Sequence, residues 1–150
     1  MHKPEEDTLD NALSGFDRTM GVRMLKISRD EVVIEYDVDE RHRQPYGIVH
    51  GGMHCAAVET ACSTGAGMDA LARGQSVVGV ENHTSFIRAI RSGTVRVTAT
   101  PITRGRRSQV WEATARNEEG KVVATGRVRL LCLDPGSQLG GEVVPQRESE

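Results

Sequence analysis

Between Gly51 and Ala72 nothing in the chain forces a break. Small residues recur there at Ala56, Ala57, Ala61, Ala66 and Ala70, with Gly65 and Gly67 among them. The run predicts one long helix, and Arg73-Gly74 supplies its C-terminal end. Small residues on most of its faces call for enclosure, not for an amphipathic helix laid on a surface. One charge interrupts the stretch: from Cys55 to Gly67, Glu59 is the only charged residue. An enclosed helix needs a sheet around it, and an unpaired buried carboxylate is costly. The same stretch therefore bears on both fold and function.

The strands are legible on either side. Before the helix, VRMLKIS is followed by VVIEYDV, in which Val32, Ile34, Tyr36 and Val38 alternate with Val33, Glu35 and Asp37. Period two marks a half-buried strand, and the two runs read as a hairpin. The polar loop DERHRQPYG, with Pro45 and Gly47 as breakers, leads into the helix. After the helix come SVVGVENHTSFIRAI, TVRVTAT, QVWEATARN and KVVATGRVRLL. In TVRVTAT, Val95, Val97 and Ala99 alternate with Arg96, Thr98 and Thr100. Two strands, one long helix and four strands predict an α+β domain, an antiparallel sheet wrapped around one central helix. Its expected span is 16–133, after an N-terminal arm over 1–15 with a short helical segment near Asn11 to Phe16. The tail 134–150, with its Gly, Pro and Glu, is expected to be disordered.

Composition narrows the partners. A chain of 150 residues suits one compact domain. One Trp, two Tyr, two Phe and a formal net charge of -2 give neither the rings nor the basic face that nucleic acid needs. The polar, acidic start MHKPEEDTLD lacks the apolar core of a signal peptide. No apolar run approaches the roughly 20 residues that cross a bilayer. The three cysteines, Cys55, Cys62 and Cys132, are odd in number and form no CxxC pair. They read as reduced thiols of a cytoplasmic protein.

Four chemistries compete for GIVHGGMHCAAVETA, residues 47 to 61. Glu59 can be a structural acid paired to an arginine. His50 and His54, four apart, can be metal ligands, but Glu59 lies about 140° round the helix from His54 and His50 precedes the helix, so the three do not converge. Cys55 or Cys62 can be a nucleophile, but neither has a histidine one turn away, no G-x-S-x-G is present, and buried thiols are the simpler reading. The fourth is acyl transfer. Glycines let a ligand approach the backbone, the first helical turn offers unpaired N–H groups to an oxyanion, and Glu59 eight residues on serves as base or nucleophile.

VHGGMHCAAVETA resembles the HGG-plus-carboxylate motif of hotdog-fold acyl-CoA thioesterases, and strand pattern, helix position and length agree over roughly residues 16 to 133. Within the superfamily the chain is similar to the PaaI-like group and to the glutamate-type 4-hydroxybenzoyl-CoA thioesterases. The resemblance implies a hotdog fold and hydrolysis of an acyl-CoA, aryl or medium-chain, with no cofactor and no metal. It implies that the Gly51 backbone N–H holds the thioester oxygen, that Glu59 attacks or activates water, and that Gln44 and Ser63 flank the thioester. His50 orders the loop, and Gly52 and Thr60 fall beside the substrate. PaaI-like members commonly carry aspartate followed by threonine; here Thr60 follows a glutamate, which with Gln44 and Ser63 points to the glutamate-type geometry. The resemblance also implies a homo-oligomer, a dimer of dimers, whose sites combine the glycine of one subunit with the carboxylate of the other.

The coenzyme's phosphates need cations. The turn TRGRRS presents Arg104, Arg106 and Arg107, and FIRAIRSG presents Arg88 and Arg91. Arginine's fork suits phosphate. By the same resemblance His83, Thr84 and Ser85 lie along the pantetheine path. Two other functions fit a hotdog chain: an enoyl-thioester dehydratase or hydratase, whose histidine typically precedes Phe-Pro, a context missing around His50, and an acyl-CoA-binding module without turnover.

Overall fold

In the computed structural model of the protein, the described residues are Leu13 and 15–145. Most of the expected arm, Asn11 included, lies outside them. A short helix α1 (Gly15–Thr19) is followed by β1 (Arg23–Ile27), β2 (Val32–Asp37) and a 3-10 turn at Glu40–His42. The long helix α2 runs over Gly51–Leu71, close to the span its small residues predict. Four strands follow: β3 (Ser76–Phe86), β4 (Thr94–Arg104), β5 (Ser108–Arg116) and β6 (Val122–Leu133). The stretch expected to be structureless from residue 134 instead holds a small hairpin, β7 (Gln138–Leu139) with β8 (Glu142–Val143).

The six long strands form one antiparallel sheet in the order β1-β2-β4-β5-β6-β3. Its concave face packs on α2. Register carries one row of side chains across the sheet, Met24–Ile34–Val97–Ala115–Ala124, all buried and ending at Phe86 on the edge strand. The expected alternation holds: Val32, Ile34, Tyr36 and Val38 are buried, as are Val95, Val97 and Ala99. This is the hotdog arrangement.

Small residues set how closely helix and sheet approach. A Cβ on Gly65 would overlap the ring of Trp111, which is fully buried on β5. A glycine that looks like a weakness in the helix is thus the space that seats the largest core side chain. At the helix C-terminus Gly74 adopts φ +71°, and the Gln75 N–H donates to the Ala70 carbonyl at 2.9 Å, closing the last turn. None of the helices among the described residues is long and apolar enough to cross a membrane.

Candidate active site

α2 carries two acids with opposite surroundings. Asp69 is buried, 3% exposed, and meets the Arg29 guanidinium at 2.8 Å and that of Arg73 at 3.0 Å. It also accepts from Gln109 Nε2 at 3.2 Å, and the other end of that amide accepts from Trp111 Nε1 at 2.8 Å. This is how a structural acid is satisfied in this fold. Glu59 is different. It is half-buried, and its carboxylate takes neutral donors: Ser63 Oγ at 3.1 Å on Oε1 and Asn82 Nδ2 at 3.0 Å on Oε2. Among the described residues no arginine or lysine forms an ion pair with it. The sequence led us to expect apolar neighbours around this carboxylate; the structure gives it a polar cradle.

The edge strand β3 builds that cradle. A Cβ on Gly79 would overlap Glu59 Oε1, so the carboxylate lies directly against the strand backbone. Between Gly79 and Glu81 the pairing with β6 slips by one residue. Gly79 pairs with the buried Leu130 and faces the helix; plain alternation would then turn residues 81, 83 and 85 inward. The bulge swaps the phase. Asn82 now pairs with the buried Val128 and faces α2, as do Thr84 and Phe86. Thr84 Oγ1 donates to Asn82 Oδ1 at 2.7 Å, and Asn82 Nδ2 also reaches the Cys55 carbonyl at 3.1 Å. Asn82 was not singled out from sequence, since nothing local distinguishes it from its polar neighbours.

The same bulge corrects His83. It pairs with the exposed Arg127 and turns, with Ser85, to the outer face of the sheet, where both line a groove with Glu112. His83 is therefore on the other side of the sheet from Glu59. Thr60 is also engaged elsewhere: its hydroxyl donates to Asp17 of α1 at 2.6 Å. Among the arginines, Arg104 is tied to Asp30 at 2.9 Å and to the Arg29 carbonyl. Arg91 donates to the Tyr46 carbonyl at 2.7 Å. Arg88, Arg106 and Arg107 are exposed.

The helix N-terminus forms a second cluster. His50 is the N-cap, its Nδ1 accepting the Gly52 N–H at 2.7 Å, so the Gly52 amide is occupied within the chain. Gly51 is the first helical residue, and its N–H has no acceptor within the helix. Gln44, Gly51, His54, Phe86 and Arg88 line a cavity of about 210 Å³ there. The Gln44 side-chain Oε1 accepts from the Tyr46 N–H. Phe86 lies close enough to Gly51 that a Cβ on the glycine would overlap its ring. His54 is buried and 5.8 Å, centroid to centroid, from Phe86, and burial lowers its pKa. Gly51 and Glu59 are eight residues apart, about 12 Å along the helix axis. The helix thus carries two separate clusters, an amide-and-glutamine cluster at its start and a carboxylate-and-hydroxyl cluster around Glu59. Among the described residues no group of three or more His, Cys, Asp or Glu could hold a metal ion.

Residues 46–124 match the family model described as the thioesterase superfamily. A candidate esterase of Mycobacterium tuberculosis is 38% identical over 133 residues, 87% of this chain and 95% of that protein. The proofreading thioesterase EntH of Cronobacter turicensis is 37% identical over 114 residues, 76% of this chain and 82% of that protein. A solved thioesterase from Haemophilus influenzae superposes with a TM-score of 0.80 at 30% identity, covering 89% of this chain and 93% of that one.

Proposed function

The chain belongs to the thioesterase superfamily and is a thioester hydrolase, and from that premise we propose that its substrate is an acyl-CoA, aryl or medium-chain, cleaved at Glu59. Water supplies the new C–O bond and the thioester C–S bond breaks, giving the free acid and the coenzyme thiol. Glu59 either takes a proton from the attacking water or attacks the carbonyl itself, with water then opening the anhydride. The Gly51 N–H, at the positive end of α2, holds the oxygen as charge develops on it. Gln44 lies beside that oxygen and Ser63 steadies the carboxylate.

Because the two clusters of one chain are separated along α2, the reaction requires a second copy. The amide cluster of one subunit faces the carboxylate cluster of its partner in a homodimer, and dimers pair further. Arg106 and Arg107 hold the coenzyme's phosphates. Replacing both by Ala raises KM for acyl-CoA far more than it lowers kcat, since contacts remote from the thioester contribute uniform binding.

The observation that carries the reading is the polar, cation-free cradle of Glu59 on a helix whose other acid is fully ion-paired. Thiol release from a panel of acyl-CoA substrates tests it. Glu59→Gln keeps the fold and lowers kcat at least about 10²-fold, the low end for general-base work. Turnover by Glu59→Gln near the wild-type rate removes the catalytic role, and tight acyl-CoA retention without turnover by the wild type makes the chain a binding module.

A further inference from the structure

We propose that the acyl group is a straight aliphatic chain, seated in a groove that runs from Ser63 along α2 toward Leu71 and is roofed by the C-terminal segment. The inference rests on the thioesterase reading above and narrows its substrate.

The groove holds about 420 Å³. Its walls are Ile27 of β1, Val77 of β3, and Gly67, Met68 and Leu71 of α2, with Val144 across the top. Among the described residues no charged side chain lines it. Of its polar lining, Thr64 Oγ1 is spent on the Thr60 carbonyl at 2.7 Å, and Gln75 and Ser76 add an amide and a hydroxyl beside the apolar walls. One end opens at Ser63, whose hydroxyl donates to Glu59 Oε1 at 3.1 Å. Glu59 itself does not line the groove; the Ser63 side chain is what joins the two.

Its shape favours a chain over a ring. Ser63 to Leu71 spans about 12 Å of helix, the reach of roughly eight to ten methylenes and about twice the length of a single aromatic ring. The floor is a glycine: a Cβ on Gly67 would lie 3.8 Å from Val77 Cγ2, in ordinary contact, so anything larger than that enters the groove itself. The roof is held in place. The β7–β8 hairpin folds the segment back, and the Val144 N–H donates to the Ser137 carbonyl at 2.9 Å.

The test uses S-alkyl-CoA thioethers, which bind but cannot be hydrolysed, titrated calorimetrically from ethyl to hexadecyl and compared with the benzyl thioether. Wild-type affinity should climb by roughly fourfold per methylene up to about ten carbons and then level off. Gly67→Leu, filling the floor, and Val144→Asp, charging the roof, should each lower the decyl-to-ethyl affinity ratio at least about tenfold. A flat wild-type series, or a benzyl thioether bound more tightly than decyl, overturns the proposal without recourse to any variant. So does an unchanged ratio in both variants. If Gly67→Leu instead splits the oligomer by light scattering while the ratio holds, the groove is a contact between copies and the proposal fails. Thiol release is scored separately: a protein with the predicted length dependence and no hydrolysis keeps the groove and loses the catalytic reading.

Discussion

Asn82 Nδ2 on the edge strand β3 donates to Glu59 Oε2 on the helix at 3.0 Å, while Ser63 donates to Oε1 at 3.1 Å. Both carboxylate oxygens are thus oriented by neutral donors. Asn82 is itself held, by Thr84 Oγ1 at 2.7 Å on its other end. A base or nucleophile aimed in this way loses little of its charge to its partners and keeps its direction.

Asn82→Ala should lower kcat about tenfold with a small change in KM, because the carboxylate swings out of line. Asn82→Asp should cost more. It removes the Nδ2 donor and sets a like charge against the Glu59 carboxylate, which turns away from it. Values of kcat and KM for the two variants, recorded with their melting temperatures, separate positioning from packing. Unchanged kcat in both variants would reduce Asn82 to a packing residue.

The two acids of α2 should respond oppositely to amide replacement. Asp69→Asn breaks the pairing of an almost fully buried carboxylate, but the Arg29 side chain is 58% exposed and water offsets part of the loss. We expect destabilisation of about 1–3 kcal/mol, below the roughly 3–5 of a wholly buried pair, with near-normal kcat in the folded fraction. Glu59→Gln should melt close to wild type and lose turnover. Urea denaturation and kcat on the same preparations decide; an inactive Asp69→Asn that melts normally would reverse the assignment.

Gly65→Ala should destabilise by about 1–3 kcal/mol, the range for overpacking, because its methyl has no room beside Trp111. Gly67→Ala is the control two residues on. Its methyl finds ordinary contact, and the gain in helix propensity, up to about 1 kcal/mol, leaves it neutral or more stable. Trp111 fluorescence during denaturation reports both. Equal stability of the two variants would mean the ring moves freely.

His54 is buried, and desolvation depresses its pKa below the ordinary value near 6.5. Among the described residues its Nδ1 has no hydrogen-bond partner, so nothing at that nitrogen offsets the loss of hydration when the ring charges. The unfolded chain therefore takes up the proton first. Stability is full above pH 6.5 and falls as the pH drops through that value toward the lower folded-state pKa. The wild-type melting temperature should decline between pH 7 and pH 5 more steeply than that of His54→Phe. Parallel curves for the two proteins would place the acid sensitivity in other groups.

The sequence by itself determined the elements and the enclosed character of the helix. Val32, Ile34, Tyr36 and Val95, Val97, Ala99 encode their strands in immediate neighbours, and the small residues of α2 encode an enclosed helix, because periodicity is a local property of the chain. The isolation of Glu59 among uncharged residues was equally plain. Tertiary structure decided what that isolation meant. Asn82 lies 23 positions from Glu59 and Thr60 lies 43 from Asp17, and no local pattern announces either meeting. The choice between Asn82 and His83 turned on one bulge, between Gly79 and Glu81, that shifts the phase of β3. Side chains on a strand alternate with period two, so a single inserted residue exchanges every inward and outward position beyond it. That insertion is fixed by how β3 pairs with β6 across the sheet, and only the assembled sheet reveals it.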